Sequence, residues 1–453
     1  MTDNHSSNAY TEEEKVEKEK APSTAPKSRG RAGHWILTAV IAVCAFSGGI
    51  LARHFSLDPQ LRTLLSVKKR IQQSYYQEIT DEAFYRVLFD AVNGDLLDDY
   101  SGYMTAQEFA QTQATAKGQQ SGLGLIVTTL DGDGNPQMLI SRVCGNSPAE
   151  AAGVREGEKI VAFGASETSL TESEVFDEFA AFLAAQNAGE TFFVKLQSGT
   201  QSRVIPLHTA EYIESYVSYR THDKAYGFSG ENADVLTEKG EPLSVLDHET
   251  AYIRLTQFNG GAASEFAKAM ELFKSQGKKN LVLDLRGNGG GYMDILQQIA
   301  SYFCKNSNEK KPVIAIADYG ESKQSFEANG NYYYDYFKAD SKICVLADEN
   351  TASASECLIG CMYDYGALAL ENVCLFGNAE EARTFGKGIM QSTYSLGLFS
   401  SDALKLTTAT IHWPKSNRCI HGVGITTADG AKCAPKNAAQ DKEIQAAIAL
   451  LFS

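Results

Sequence analysis

The stretch Asn280-Leu-Val-Leu-Asp-Leu-Arg-Gly-Asn-Gly-Gly-Gly291 decides how this chain is read. Its first half is a short apolar run, the signature of a buried strand. The glycines stop that run, and Tyr292-Met-Asp-Ile-Leu-Gln-Gln-Ile-Ala-Ser-Tyr-Phe303 then carries helical spacing. A strand passing through a glycine turn into a helix is the repeating unit of an α/β domain. The order recurs nearby. Strands AYIRL, PVIAIA and KICVLA alternate with helices ASEFAKAMELFKSQ and SECLIGCMYDYG, and EIQAAIALLF closes the chain. Residues 209–453 are therefore expected to form one α/β core. Glycines at a strand end free backbone N–H groups to face an anion near a helix N-terminus. No Gly-Lys-Ser/Thr follows, so a phosphate loop is excluded.

Upstream the pattern changes. Residues 116–208 hold GLGLIVTTL, a DGDGN turn, QMLISRV, a short helix opened by Asn146-Ser147-Pro148, the strand of VREGEKIVAFG, the helix SEVFDEFAAFLAA and the strand TFFVKLQ. By this order the unit is small and mostly β, with two helices. Residues 55–115 read as mostly helical, with Phe84, Val87, Leu88 and Val92 on one face and a capping box at Thr105 and Glu108.

The N-terminal end differs from both. Residues 1–33 carry six acids and six bases among polar residues, which predicts a disordered tail. Trp35 to Ala52 (WILTAVIAVCAFSGGILA) is uncharged and long enough, at about 1.5 Å per residue, to span a bilayer core. We expect a transmembrane helix over 34–52. Lys27, Arg29 and Arg31 precede it and only Arg53 follows directly, which places the N-terminus in the cytoplasm and the rest outside the cell membrane. Across 453 residues, 43% hydrophobic and 21% charged content excludes wholesale disorder and a polytopic membrane protein. A net charge of −15 argues against nucleic acid as a partner. Cys357 and Cys361 make a weak zinc half-site and read better as buried small residues.

Chemistry concentrates at three strand ends. Asp284–Gly291 is the first. Thr351-Ala-Ser353-Ala-Ser355-Glu356 is the second, where Ser353 with Glu356 fits a capping box and also sets the Ser353 hydroxyl in the positive end of a helix dipole. The third is Thr384-Phe-Gly-Lys387-Gly-Ile-Met-Gln391, where an extended chain points Lys387 and Gln391 to one side. A serine needs a base to act as a nucleophile. His54, His208, His222, His248, His412 and His421 fall in no recognisable nucleophile or zinc pattern. A lysine serves only when neutral near pH 7, which burial beside apolar groups such as Phe385 and Ile389 permits.

Two resemblances extend this reading. Gly122-Leu123-Gly124-Leu125 and SPAEAAGVREGEKIVAF resemble a PDZ domain. That likeness implies capture of a peptide C-terminus by strand addition, with Leu123, Gly124 and Leu125 at the carboxylate. DDYSGYMT, AYIRLTQF, LVLDLRGNGGG, ENTASASE, FGKGIMQ and IHGVGI resemble the C-terminal processing peptidases, tail-specific serine proteases of family S41. The resemblance implies a Clp-protease/crotonase-like core with Ser353 as nucleophile, Lys387 as base and Gln391 orienting the lysine. It puts Gly290, or else Gly291, with Ala354 at the oxyanion hole. It further implies no cofactor or metal, protein substrates with apolar C-terminal tails, and a homodimer as one assembly. Two features depart from the family. Asn288-Gly-Gly-Gly replaces Asn-Pro-Gly-Gly, and 34 residues separate Ser353 from Lys387, the excess being read as a loop insertion at 368–383. A non-catalytic scaffold and a cell-wall peptide amidase or esterase are the alternatives.

Overall fold

A computed structural model describes residues 58–308, 311–397, 400–437 and 440–452. The expected tail, 1–33, and membrane segment, 34–52, lie outside them. Among the described residues no helix is long and apolar enough to cross a membrane. The described residues divide into two units, one ending at Leu88 and the other beginning at Phe89.

In the first unit, helix α1 (Pro59–Ser74) starts on the side chain of Asp58, which accepts from the N–H of Gln60 and Leu61. Helix α2 (Asp81–Ala91) follows. Lys68 Nζ lies 2.9 Å from Asp81 and 4.1 Å from the centroid of the Tyr85 ring.

The second unit begins its sheets with β1 (Gly102–Met104), followed by α3 (Ala106–Ala116), whose capping box at Thr105 and Glu108 is present. The small β unit comprises β2 (Gln119–Gly122), β3 (Leu125–Leu130), β4 (Pro136–Val143), α4 (Pro148–Ala151), β5 (Lys159–Ser166), β6 (Ser169–Glu172), α5 (Phe176–Ala184), β7 (Phe192–Ser198) and β8 (Gln201–Leu207). Its sheet runs β3-β4-β5-β7-β8 with β6 on β5, leaving β3 as an edge. Strand β9 (Ala210–Ile213) pairs back on β2 and closes the unit. Alternate residues such as Met138 and Ile140, and Phe192, Val194 and Leu196, fill its core with Phe179 of α5.

The larger part carries β10 (Val217–Arg220), β11 (Ala225–Ser229), β12 (Val235–Glu238), β13 (Thr250–Leu255), α6 (Ala262–Ser275), β14 (Asn280–Asp284), α7 (Met293–Ala300), β15 (Val313–Asp318), β16 (Lys323–Glu327), α8 (Tyr333–Tyr336), β17 (Ile343–Ala347), α9 (Ala354–Asp364), β18 (Val373–Phe376), β19 (Ile389–Ser395), β20 (Ala403–His412), β21 (Lys432–Ala434) and α10 (Gln440–Leu451). An eight-stranded sheet runs β12-β11-β10-β13-β14-β17-β18-β21. It is antiparallel as far as β13 and parallel from β13 to β21. Parallel strands are covered on both faces, which is why these segments are apolar at nearly every position. Leu281, Leu283, Val345, Val373 and Leu375 face the core shared with α6, α7 and α9. Val282, Cys344, Leu346, Cys374 and Phe376 face the other side, against Ile444, Ala447 and Ile448 of α10.

β1 pairs with β20 in a second sheet, β1-β20-β15-β16, with β19 on β20. One expectation needs correction. The 368–383 segment is not all loop: it holds β18, a strand inside the main sheet between β17 and β21. Cys357 and Cys361 are buried free thiols, as small core residues should be, and Cys361 Sγ lies 3.1 Å from Cys304 Sγ.

One buried charge locks β14 to its turn. Asp284, fully buried, accepts from Arg286 Nε at 2.9 Å and Tyr252 Oη at 2.5 Å. Arg286 also pairs with Glu443 of α10. Asp284→Ala leaves the buried guanidinium without its main partner. It should cost roughly 3–5 kcal/mol, read as a lower urea midpoint with an unchanged slope.

Candidate active site

Three connections leave the C-terminal ends of neighbouring parallel strands: 285–292 after β14, 348–353 after β17 and 377–388 after β18. Such ends are where α/β sheets build sites. Asn288, fully buried, ties the first connection to the second. Its carbonyl oxygen accepts from the N–H of Ala352 at 2.9 Å and the hydroxyl of Ser355 at 3.0 Å. Its Nδ2 donates to Leu255 O at 2.8 Å. Thr351 adds a second tie, its hydroxyl donating to Leu285 O at 2.8 Å.

These contacts separate the two serines. Ser355 is fully buried with its hydroxyl engaged. Ser353 is half-buried and lines a cleft of about 700 Å³. Its backbone has φ +57° and ψ −115°, a conformation that costs a non-glycine residue on the order of 1–3 kcal/mol. The turn between β17 and α9 sets the hydroxyl at the N-terminus of the helix, where Ser353 and Glu356 form the expected capping box. Among the described residues the Ser353 hydroxyl donates no hydrogen bond.

Glu356 joins the second connection to the third. Its carboxylate is buried and accepts four donors. Thr384 Oγ1 at 2.5 Å and Gly386 N at 2.8 Å share Oε1, while Ser353 N and Lys387 N, each at 2.9 Å, share Oε2. Two nitrogens on one oxygen at that distance are no more than about 6 Å apart, so Ser353 and Lys387 start from adjoining backbone positions. Burial pushes the Glu356 carboxyl above its usual range, and the four donors oppose that rise.

Lys387 is half-buried, and its Nζ lies 4.5 Å from the Tyr100 ring centroid. Burial holds its ammonium below the ordinary lysine range. The charge of Lys405 pushes the same way, and Asp98 opposes both. Phe385, expected to help bury it, is 46% exposed. Tyr100 takes that place, and nothing in the sequence beyond the DDYSGYMT run pointed to it. Gln391 lines the Ser353 cleft with Lys387 and donates to Thr407 Oγ1 at 3.1 Å. A register shift between Met390 and Gln391 interrupts the simple alternation on which their shared face was expected.

The glycine turn departs from expectation in one respect. The N–H of Gly290 is not free: it donates to Asn288 Oδ1 at 2.9 Å. Among the described residues the N–H groups of Gly289, Gly291 and Ala354 have no such partner. Gly290 instead supplies close approach. With φ +99°, a Cβ on it would sit 2.8 Å from Ser353 Cβ and 2.9 Å from Ala354 N.

A second cleft of about 670 Å³ is lined by Ile126, Val127 and Thr128 of edge strand β3. Gln257, Gly289 and Lys387 line both clefts, so the two meet at the lysine. Leu123 is buried, its carbonyl accepting from Ala149 N, and the carbonyl of Gly124 accepts from Cys144 N. Leu125 opens β3 opposite Val143. The N–H groups of Leu123 and Gly124 have no hydrogen-bond partner among the described residues.

Residues 249–428 match the profile of Peptidase family S41. The chain is similar to a carboxyl-terminal-processing protease of Synechocystis sp., with 27% identity over 329 residues, 72% of this chain and 66% of that protein. It thus spans just under two thirds of that relative's length. A solved photosystem II D1 C-terminal processing protease aligns over 82% of this chain and 92% of its own, with 20% identity and a TM-score of 0.44.

Glu356→Gln keeps the shape of the clamp but turns one acceptor oxygen into a donor that faces two others. At about 1–3 kcal/mol for each donor left unmatched, it should lower the urea midpoint. It should also slow labelling of Ser353 by a serine-directed phosphonate by about a hundredfold or more.

Proposed function

We propose that this chain, whose residues 249–428 belong to peptidase family S41, is a serine endopeptidase that cuts protein substrates through a Ser353/Lys387 dyad and selects them by their C-terminal tails. The observation that carries the reading is the shared Glu356 oxygen, which brings the two backbones together beside a cleft. In the resting arrangement Lys387 Nζ lies over Tyr100. For reaction the neutral amine swings to Ser353 and takes its proton. Ser353 Oγ attacks the peptide carbonyl, and the oxyanion is held by Ala354 N–H and a free N–H of the glycine turn, Gly289 or Gly291. Collapse breaks the C–N bond, and Lys387 returns the proton to the leaving amine. Water activated by the same lysine then hydrolyses the acyl-enzyme. Gln391 limits where the lysine side chain goes.

The β unit serves as a PDZ-type tail receptor. A substrate C-terminus adds a strand to the open edge of β3, with its carboxylate on the free N–H groups of Leu123 and Gly124 at the start of Leu125–Leu130. Exposed Ile126, Val175 and Phe176 favour an apolar tail. The cleft from β3 to Lys387 leads the chain inward. The uncharged run Trp35–Ala52 anchors the protease in the cell membrane, with the catalytic part outside.

Ser353→Ala should abolish cleavage of a protein with an apolar tail and leave the circular dichroism spectrum unchanged, whereas Ser355→Ala should retain turnover. Lys387→Arg should also abolish it, because a guanidinium does not become neutral. Recapping the tail with charged residues should raise KM.

The base must be neutral, so kcat/KM should rise with pH through the depressed Lys387 pKa. Lys405→Met removes a like charge and should move that rise to higher pH. Asp98→Asn removes the opposing charge and should move it lower. A pH–rate profile of the three proteins checks both directions.

A further inference from the structure

The histidines that form no sequence pattern include a pair the fold brings together. His222 and Asp223 occupy the tip of the β10–β11 hairpin, and His248 lies just before β13. The imidazole rings of His222 and His248 are 4.3 Å apart, centroid to centroid. Asp223 sits between them, its carboxylate 3.3 Å from His248 Nδ1 and 4.0 Å from His222 Nε2. One ligand atom from each residue lies within 4.8 Å of the others.

The site is built on fixed backbone. The hairpin tip is closed by Thr221 N donating to Lys224 O at 2.7 Å, and Thr221 O accepts from Leu243 N at 2.8 Å. The carbonyl of His248 accepts from Lys278 Nζ at 2.7 Å. His222 Nδ1 is 2.8 Å from the carbonyl oxygen of Leu246, whose side chain is buried. A carbonyl only accepts, so Nδ1 carries the hydrogen, and in the neutral ring Nε2 is the nitrogen left to ligate. A backbone carbonyl fixing the tautomer in this way is the usual support of a metal-ligating histidine.

We propose that His222 Nε2, Asp223 and His248 Nδ1 bind one divalent ion of the zinc class. Two neutral imidazoles and one carboxylate suit a borderline transition metal, whereas calcium and magnesium take oxygen donors. Bonds of about 2.0–2.1 Å need the donor atoms somewhat closer than they are here. The exposed side chains of Asp223 and His248 are free to close that gap. Position sets the consequence. His248 precedes the N-terminal end of β13, and His222 follows the end of β10, which pairs antiparallel with β13. The ion therefore sits at the opposite end of the sheet from Ser353, about one strand length away. It staples the hairpin to the segment entering the parallel core and stabilises the fold without touching the reaction.

The test uses the purified chain, stripped with chelator and titrated with zinc chloride by calorimetry, then with cobalt chloride by visible absorption. One zinc ion per chain should bind. His222→Ala and His248→Ala should each weaken it about tenfold or more, and the zinc-induced rise in melting temperature should vanish with them. Cobalt should give ligand-field bands without a thiolate charge-transfer band, and peptidase rates of the variants should match the parent. Absence of zinc binding would overturn the proposal. So would affinity unchanged by both substitutions, a thiolate band, or calcium binding as well as zinc.

Discussion

A single buried carboxylate holds this site together. Glu356 sits one turn into α9, and the same helix start that it caps is the start that presents Ser353. Its reach across to Thr384, Gly386 and Lys387 turns a local helix cap into a tie between strands β17 and β18. The carboxylate has lone pairs for four donors, and it is surrounded by four. Burial of the carboxylate strengthens each of these hydrogen bonds and makes leaving one unmade costly.

Around that clamp, each neighbouring contact fixes one further element. Asn288 holds the glycine turn against the turn that carries Ser353, and Asp284 with Arg286 holds the glycine turn to its own strand. Phe385 N donates to Thr351 O, so the lysine segment also touches the turn before Ser353. The backbone is therefore determined at both Ser353 and Lys387. Ser353 has a strained backbone and a hydroxyl that donates no hydrogen bond among the described residues. Lys387 has a partly buried ammonium parked on an aromatic face. Rigid support beneath two side chains is what the proposed proton transfer between them needs.

Much of this was legible in the residues, and the reasons are local. Strand, glycine turn and helix at 280–303 could be read because periodicity and glycine act over a few positions. Ser353 with Glu356 read as a capping box for the same reason. The other half of the Glu356 clamp was not legible, since Thr384, Gly386 and Lys387 lie about thirty residues on and carry no mark of their partner. Residues 368–383 were misread because an apolar stretch of four, Val373–Phe376, gives no sign of which sheet it enters. Gly290 was expected to point its N–H at substrate, but the side chain of Asn288 reaches that N–H first, as asparagine does in turns. Tyr100 and the His222–His248 pair depend wholly on long-range folding.

The proposed activation of Ser353 by Lys387 is decided by locating the covalent intermediate. The protein is mixed with a peptide ester bearing an apolar tail, quenched in acid within milliseconds, digested and mapped by mass spectrometry. An acyl group is expected on Ser353 in the parent chain and none in Lys387→Met. An acyl group on Ser355 or another residue, or one that still accumulates on Ser353 at the parent rate without the lysine, would contradict it.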